Sequence, residues 1–237
     1  MYKTKSGKIP VLEYLQSLAE RKDKDSRIKL NKIRDYIKVL QNRGVAAGMP
    51  YIRHIEGEIY ELRPIRDRIL FFTMQDGKYI LLHHFMKKAQ KTPKKEIEKA
   101  YREIEEIKRV NYHMKNKAIG PAWEDVEKQL YTPEEIGASD LRAAIMCELI
   151  DARNEKGISQ KKLEVLSGVK QPVIARMEAG TTSPRLDTVL KVLAALGKTL
   201  KIVPINNQDG DSVNQTKTYR PIGHFELVFR PMRLVFI

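Results

Sequence analysis

Five cations stand at the ends of three short apolar segments in the first half of the chain. Arg63 ends one segment, Arg68 begins the next, and Lys87, Lys88 and Lys91 follow the third. Gathered at one end of a sheet, such side chains hold phosphate and stabilise negative charge developing on it, because guanidinium and ammonium groups donate charged hydrogen bonds to anionic oxygens. Arg63 and Arg68 would serve equally well as ion-pair partners for Glu61 or Asp67, and both readings are open. The third segment also carries His83 and His84. Strand alternation sends them to opposite faces, so at most one shares the cationic surface, and His84 is the preferred candidate. An imidazole there could move a proton near neutral pH, although a strand histidine is often structural.

A second set of residues points to duplex recognition. In Gly157-Ile-Ser-Gln-Lys-Lys-Leu-Glu-Val-Leu-Ser-Gly-Val-Lys-Gln-Pro-Val-Ile-Ala-Arg-Met-Glu-Ala-Gly, Ser159 can cap a helix running to about Leu166, and Gly168 supplies a tight turn. Gln171-Pro172 opens a second helix that ends near Gly180. Leu163, Val169, Ile174 and Met177 would lock the two helices together. That leaves Lys170, Gln171 and Arg176 outward, where they could reach base edges or phosphates in a major groove. Ser159 and Gln160, at the start of the first helix, would meet the DNA backbone.

Other constellations carry little. Five histidines and one cysteine never fall into metal-ligand spacing, and no glycine cluster forms a phosphate-cradling loop after a strand. Neither a metal nor a nucleotide cofactor is expected. Cys147 sits among Ile145, Met146 and Leu149, where a packed thiol is expected.

The elements that must position these residues follow from periodicity. Helical patterns begin at Pro10, with Leu12, Leu15 and Leu18, and at about Lys24, with Leu30, Ile33, Ile37 and Leu40, the second ending at Gly44. Segments Ile59 to Pro64, Arg68 to Met74 and Tyr79 to Phe85 read as an antiparallel meander, with Asp76-Gly77 as a turn. A charged helix follows Thr92-Pro93 and runs to about Lys108. The Lys/Arg runs at 21–38 and 94–109 read as solvated helix faces. Residues 123–136 form a mixed segment, 139–196 are helical apart from brief turns, and Thr199 to Ile205 can form a strand. The fold class is therefore α+β: a small antiparallel sheet with helices, followed by an all-α helix-turn-helix domain.

At 237 residues the chain suits about two small domains. Residues 1–113 carry 26 Lys and Arg against 15 Asp and Glu, a net +11, whereas residues 114–205 carry 14 against 12. Such a basic field favours a polyanionic partner. The pattern lapses around Val110 to Pro121, and Met114 resembles a fresh chain start. Residues 114–138 read as a linker and contact segment, 139–205 as the helix-turn-helix domain and 206–237 as a disordered or loosely docked tail. No apolar run could span a bilayer and the N-terminus lacks a secretory pattern, so a cytoplasmic protein without membrane contact is expected.

Residues 139–196 resemble the Xre/Cro-type helix-turn-helix, and their flanks resemble HigA antitoxins. Residues 8–109 resemble the phage-derived branch of the HigB/RelE toxin superfamily, most clearly in Tyr60-Glu-Leu-Arg-Pro, Arg68-Ile-Leu-Phe-Phe and Leu82-His-His-Phe-Met-Lys-Lys-Ala-Gln-Lys-Thr-Pro. That resemblance implies a RelE-like sheet and a metal-independent endonuclease acting on mRNA on the ribosome. Its catalytic candidates are Arg63, Arg68, His84, Lys87, Lys88 and Lys91, with the general base undetermined. The antitoxin resemblance implies operator DNA as a partner, self-repression and a homodimer through the helix-turn-helix domain. Contact between the two halves would keep the nuclease latent. Trp123, Val126, Leu130 and Ile136 would anchor the acidic segment on the basic domain, with Glu124, Asp125, Glu127, Glu134 and Glu135 supplying complementary charge. The rival is a two-domain regulator whose basic half binds nucleic acid without cutting it. The two readings part on whether residues 1–113 cleave mRNA.

Overall fold

The computed structural model describes residues 1–74, 76–88, 91–113 and 118–200, with side chains throughout except at 110–113. Helix α1 (Pro10–Glu20) starts on a proline, whose fixed φ suits a first helical turn. Helix α2 (Lys24–Arg43) is capped by Asp23, which accepts from the Ser26 amide at 2.8 Å, and stops at Gly44, where φ is 59°. A short 3-10 turn (Gly44–Ala47) leads into strands β1 (Ile52–Glu56), β2 (Ile59–Leu62), β3 (Asp67–Thr73) and β4 (Tyr79–Met86), and helix α3 (Lys94–His113) follows.

The strands form one antiparallel meander in the order β1-β2-β3-β4. This adds β1 to the three strands expected. β1 is an edge strand in which only Ile52 is buried, so its sequence, Ile-Arg-His-Ile-Glu, shows little alternation. β3 is buried at six consecutive positions because both sheet faces are covered. Ile69 and Phe71 pack with Leu15, Leu30 and Ile37 of α1 and α2, whereas Leu70 and Phe72 pack with Ala100, Ile104 and Ile107 of α3.

Beyond the sheet, α4 (Trp123–Leu130) and α5 (Pro133–Glu155) occupy the segment expected to be mixed. Thr132 and Glu135 form a reciprocal capping box, which fixes the start of α5 well before residue 139. Helices α6 (Gln160–Ser167), α7 (Gln171–Glu178) and α8 (Leu186–Ala195) then pack around Leu149, Ala152, Leu163, Val169, Ile174, Met177, Val189 and Val192. The chain is thus α+β, a four-stranded antiparallel sheet with helices joined to a helical helix-turn-helix region. Of the strand expected at Thr199 to Ile205, residues 201–205 lie outside the described residues, as does the tail at 206–237.

The halves share a core. Trp123, Val126, Tyr131, Ala143, Met146 and Cys147 are buried together with Leu30, Ile33, Ile37 and Leu40. α5 faces α2 through Ala143 and Met146 and the helical region through Leu149 and Ala152. Backbone bonds of the N-terminal residues tie the same halves: the Lys3 amide donates to Ala118 at 2.8 Å and the Gly120 amide to Met1 at 2.7 Å, while the Tyr2 amide joins this edge to Leu81 of β4 at 2.8 Å. Among the described residues, no helix is long and apolar enough to cross a membrane.

Candidate nucleic-acid interfaces

The antiparallel register that sets Arg68 against Phe85 also brings the loop after β4 beside the end of β2. A small pocket results, lined by Glu61, Arg63, Arg68, Phe85, Lys87, Lys88, Lys91, Thr92 and Pro93. Five of the six expected catalytic candidates therefore meet in one place. At its base the nearly buried Glu61 carboxylate lies 3.3 Å from Nε of both Arg63 and Arg68 and accepts from the Thr92 hydroxyl at 2.7 Å. Burial holds the Arg68 guanidinium below its ordinary pKa, and Glu61 is the nearest compensating charge. Lys87 and Lys88 remain exposed at the rim, as does Lys91. Such a site presents exposed ammonium groups above a guanidinium pair that shares the Glu61 carboxylate, an arrangement suited to an anionic oxygen. Glu61, weighed from sequence only as an ion-pair partner, is the organising residue; its place in a strand between apolar neighbours was the available signal.

His84 stands apart from this pocket. It lies opposite Ile69 on the face covered by α1, stacked on Tyr14 with ring centroids 3.6 Å apart. Tyr14 in turn donates to Asp67 at 2.6 Å. Desolvation lowers the His84 pKa from its usual 6.5, with His83 and Lys99 adding to the effect against the attraction of Asp67. His83 is fully buried on the other face, its Nδ1 2.6 Å from Glu103.

Among the described residues, the acidic segment meets α2 and not the cation pocket. Glu124 accepts from Gln41 at 2.6 Å, Glu127 pairs with Lys38 at 2.8 Å, and Glu135 pairs with Arg27, all on α2. The Lys/Arg run at 21–38 is consequently not a solvated face throughout. Lys32, Arg34 and Asp35 are buried because α4 and α5 lie over them. Asp35 accepts from Ser139 at 2.7 Å, from Arg142 at 3.0 and 3.2 Å and from Lys32 at 3.1 Å, while Arg34 stacks on Tyr131 at 4.0 Å.

The second interface is built by α6 and α7. Ser159 accepts from the Lys162 amide at 3.1 Å, and Gly168, at φ 69°, makes the turn between them. Leu163, Val169, Ile174 and Met177 are buried as expected from their spacing. Ser159, Lys170 and Arg176 are exposed, and Gln160 and Gln171 half-buried. Gln171 Nε2 donates to Gln160 Oε1 at 2.7 Å, Gln160 donates to the buried Glu178 at 2.8 Å, and Arg153 grips the same carboxylate at 2.7 and 3.1 Å. Lys170 lies 3.6 Å from Glu164, and Arg176 Nε donates to the Pro172 carbonyl at 3.1 Å. The five residues thus share the surface at the start of both helices and along α7, with polar groups available to a duplex.

Comparison with known proteins divides the chain in the same way. Residues 19–105 match the family described as Phage derived protein Gp49-like, and residues 149–203 match the helix-turn-helix family. An uncharacterised HTH-type transcriptional regulator of Haemophilus influenzae is 58% identical over 87 residues, spanning 37% of this chain and 89% of that protein. A toxin-antitoxin module from Streptococcus pneumoniae is 71% identical, covers 38% of this chain and 100% of its own, and has a TM-score of 0.35.

Proposed function

Because this chain belongs to the HTH-type transcriptional regulators, we propose that its C-terminal half binds operator DNA and represses its own transcription, while its N-terminal half is a latent ribonuclease. In this reading the halves are a HigA-type antitoxin and a HigB/RelE-type toxin joined in one polypeptide. The observation that carries the nuclease assignment is the convergence of Arg63, Arg68, Lys87, Lys88 and Lys91 on one pocket.

Cleavage of mRNA on the ribosome by this class of chemistry proceeds by attack of a ribose 2′-OH on the adjacent phosphate. The protein must align the chain, move protons and stabilise charge on the phosphoryl oxygens. Arg63, Arg68 and the three lysines suit the last task. Glu61 keeps the guanidinium pair in register, and His84, stacked away from the pocket, has no direct part in the arrangement. The C-terminal half silences the nuclease by bulk, since among the described residues its hydrogen bonds and ion pairs to the N-terminal half fall on residues 1–3, α2 and Tyr51, while the pocket lining comes from residues 61–93. A homodimer through the helical region would place two α7 helices on a symmetric operator.

The rival reading, a regulator whose basic half binds without cutting, draws on the pairing of both guanidinium groups with the one Glu61 carboxylate, which offsets part of their charge. The experiment that separates them is an assay of mRNA cleavage on translating ribosomes. Residues 1–113, folded by circular dichroism, should cut; the full chain and the Arg68→Ala fragment should not. A folded fragment that leaves mRNA intact would establish the rival.

A further inference from the structure

The last carbonyls of an α-helix find no donor within the helix and must be satisfied from outside. At the end of α7 the donors come from the N-terminal half. Tyr51 Oη donates to the Glu178 carbonyl, Tyr36 Oη to the Ala179 carbonyl at 3.1 Å, and Lys32 Nζ to the Gly180 carbonyl. Three consecutive acceptors are thus taken up by side chains 127 to 148 residues away in sequence.

The donors are themselves held. Lys32 and Tyr36 are one turn apart on α2, and the Tyr51 ring meets Tyr36 edge-on with centroids 5.2 Å apart. Lys32 also donates to Asp35, which Arg142 and Ser139 of α5 fix in turn. Its ammonium brings positive charge to the negative end of the α7 dipole. Burial pushes the Tyr36 phenol up to about 12, so it stays a donor at neutral pH. The approach is close: Gly180 has φ 59°, and a Cβ there would collide with Met146 of α5. From Glu178 the path continues through its side chain to Gln160 and on to the half-buried Gln171, the first residue of α7.

We infer that Lys32, Tyr36 and Tyr51 are positioning residues for DNA binding, setting the angle of α7 so that operator affinity depends on the docked N-terminal half. The inference rests on the reading of α7 as the DNA-contacting helix. All three side chains are buried, at 8%, 2% and 1% exposure, so their effect on DNA must pass through α7. By linkage, bound DNA strengthens docking by the same factor that docking strengthens DNA binding.

The test is a gel-shift titration of the full chain with a duplex that the same chain has selected from a random-sequence pool. Tyr36→Phe, Tyr51→Phe and Lys32→Met each remove a donor and should weaken binding on the order of fivefold. Lys32→Arg, which can still donate, should restore the parent affinity. The slope of log affinity against log salt should not change in any of them, because no phosphate contact is lost. Tyr2→Phe removes a 2.8 Å bond to Glu106 on the α3 side of the sheet and should bind as the parent does. Parent-like affinity in all three donor variants overturns the inference and leaves the DNA-binding reading standing. A parent chain that selects no duplex overturns both. Equal weakening by Tyr2→Phe, or a shallower salt slope in Lys32→Met, also overturns the inference, by showing general destabilisation or a direct phosphate contact.

Discussion

The Glu61 carboxylate lies 3.3 Å from Nε of Arg68, and both side chains are at most 5% exposed. A buried guanidinium deprived of its carboxylate is far more costly than the intact pair is stabilising. Glu61→Ala should therefore lower the stability of the full chain by about 3 kcal/mol, read by urea unfolding. Arg68→Met with Glu61→Leu should recover much of that loss, because the double change leaves behind only the Arg63 guanidinium, which is less deeply buried than that of Arg68. A single variant as stable as the parent would show that the pair is solvated.

On the DNA side, Gln171→Ala and Arg176→Ala should each weaken binding to a selected duplex by about 1 to 3 kcal/mol if they contact bases. Gln171 accounts for only one hydrogen bond of the internal network, with Gln160, and Arg176 is exposed, so the fold should persist. Unchanged affinity at fixed salt in both variants removes α7 from the interface.

Docking of the halves should outlast a break in the chain. After proteolytic cutting between residues 113 and 118, the two pieces should co-elute in size-exclusion chromatography, held by the shared core of α2, α4 and α5. Asp35→Ala leaves Arg142 and Lys32 without their common carboxylate and should make the cut pieces separate. Separation of the cut parent protein would contradict the interface.

The His84 pKa is depressed, so the folded state resists protonation where the unfolded chain accepts it. The stability this supplies is complete above the ordinary value of 6.5 and is lost as pH falls through the lower folded pKa. Thermal unfolding of the full chain should drop in midpoint between about pH 7 and about pH 5. His84→Phe keeps a ring against Tyr14 and should flatten that part of the profile. An identical pH profile in the variant would assign the loss to other groups.

The parts legible in the sequence were those encoded over short distances. The α6-α7 turn was readable because Gly168, the Ser159 cap and four inward apolar positions lie within one stretch of chain. Strands β2, β3 and β4 were readable from apolar segments and the Asp76-Gly77 turn. β1 was not, because an edge strand with one buried residue has no alternation to detect. Lys32, Arg34 and Asp35 looked like members of a solvated run, since charge alone does not disclose a guanidinium or aromatic ring a hundred residues away. The five cations of the pocket could be listed from strand ends, but their common dependence on Glu61 required the register. His84 could be assigned to a face by alternation, yet that face proved to be the one filled by Tyr14 of α1.

The backbone bonds of residues 1–3 with Leu81 and with residues 118–120 carry a consequence for the order of synthesis. The Lys3 amide is made early and its acceptor, Ala118, is made late. At about 5 to 20 residues per second the interval is on the order of ten seconds. During that time the sheet can close with Tyr2 on Leu81, but the outer side of this first segment stays unpaired. The nascent N-terminal half is therefore made before the segment that completes its edge, and that segment leads directly into the helices that dock on α2.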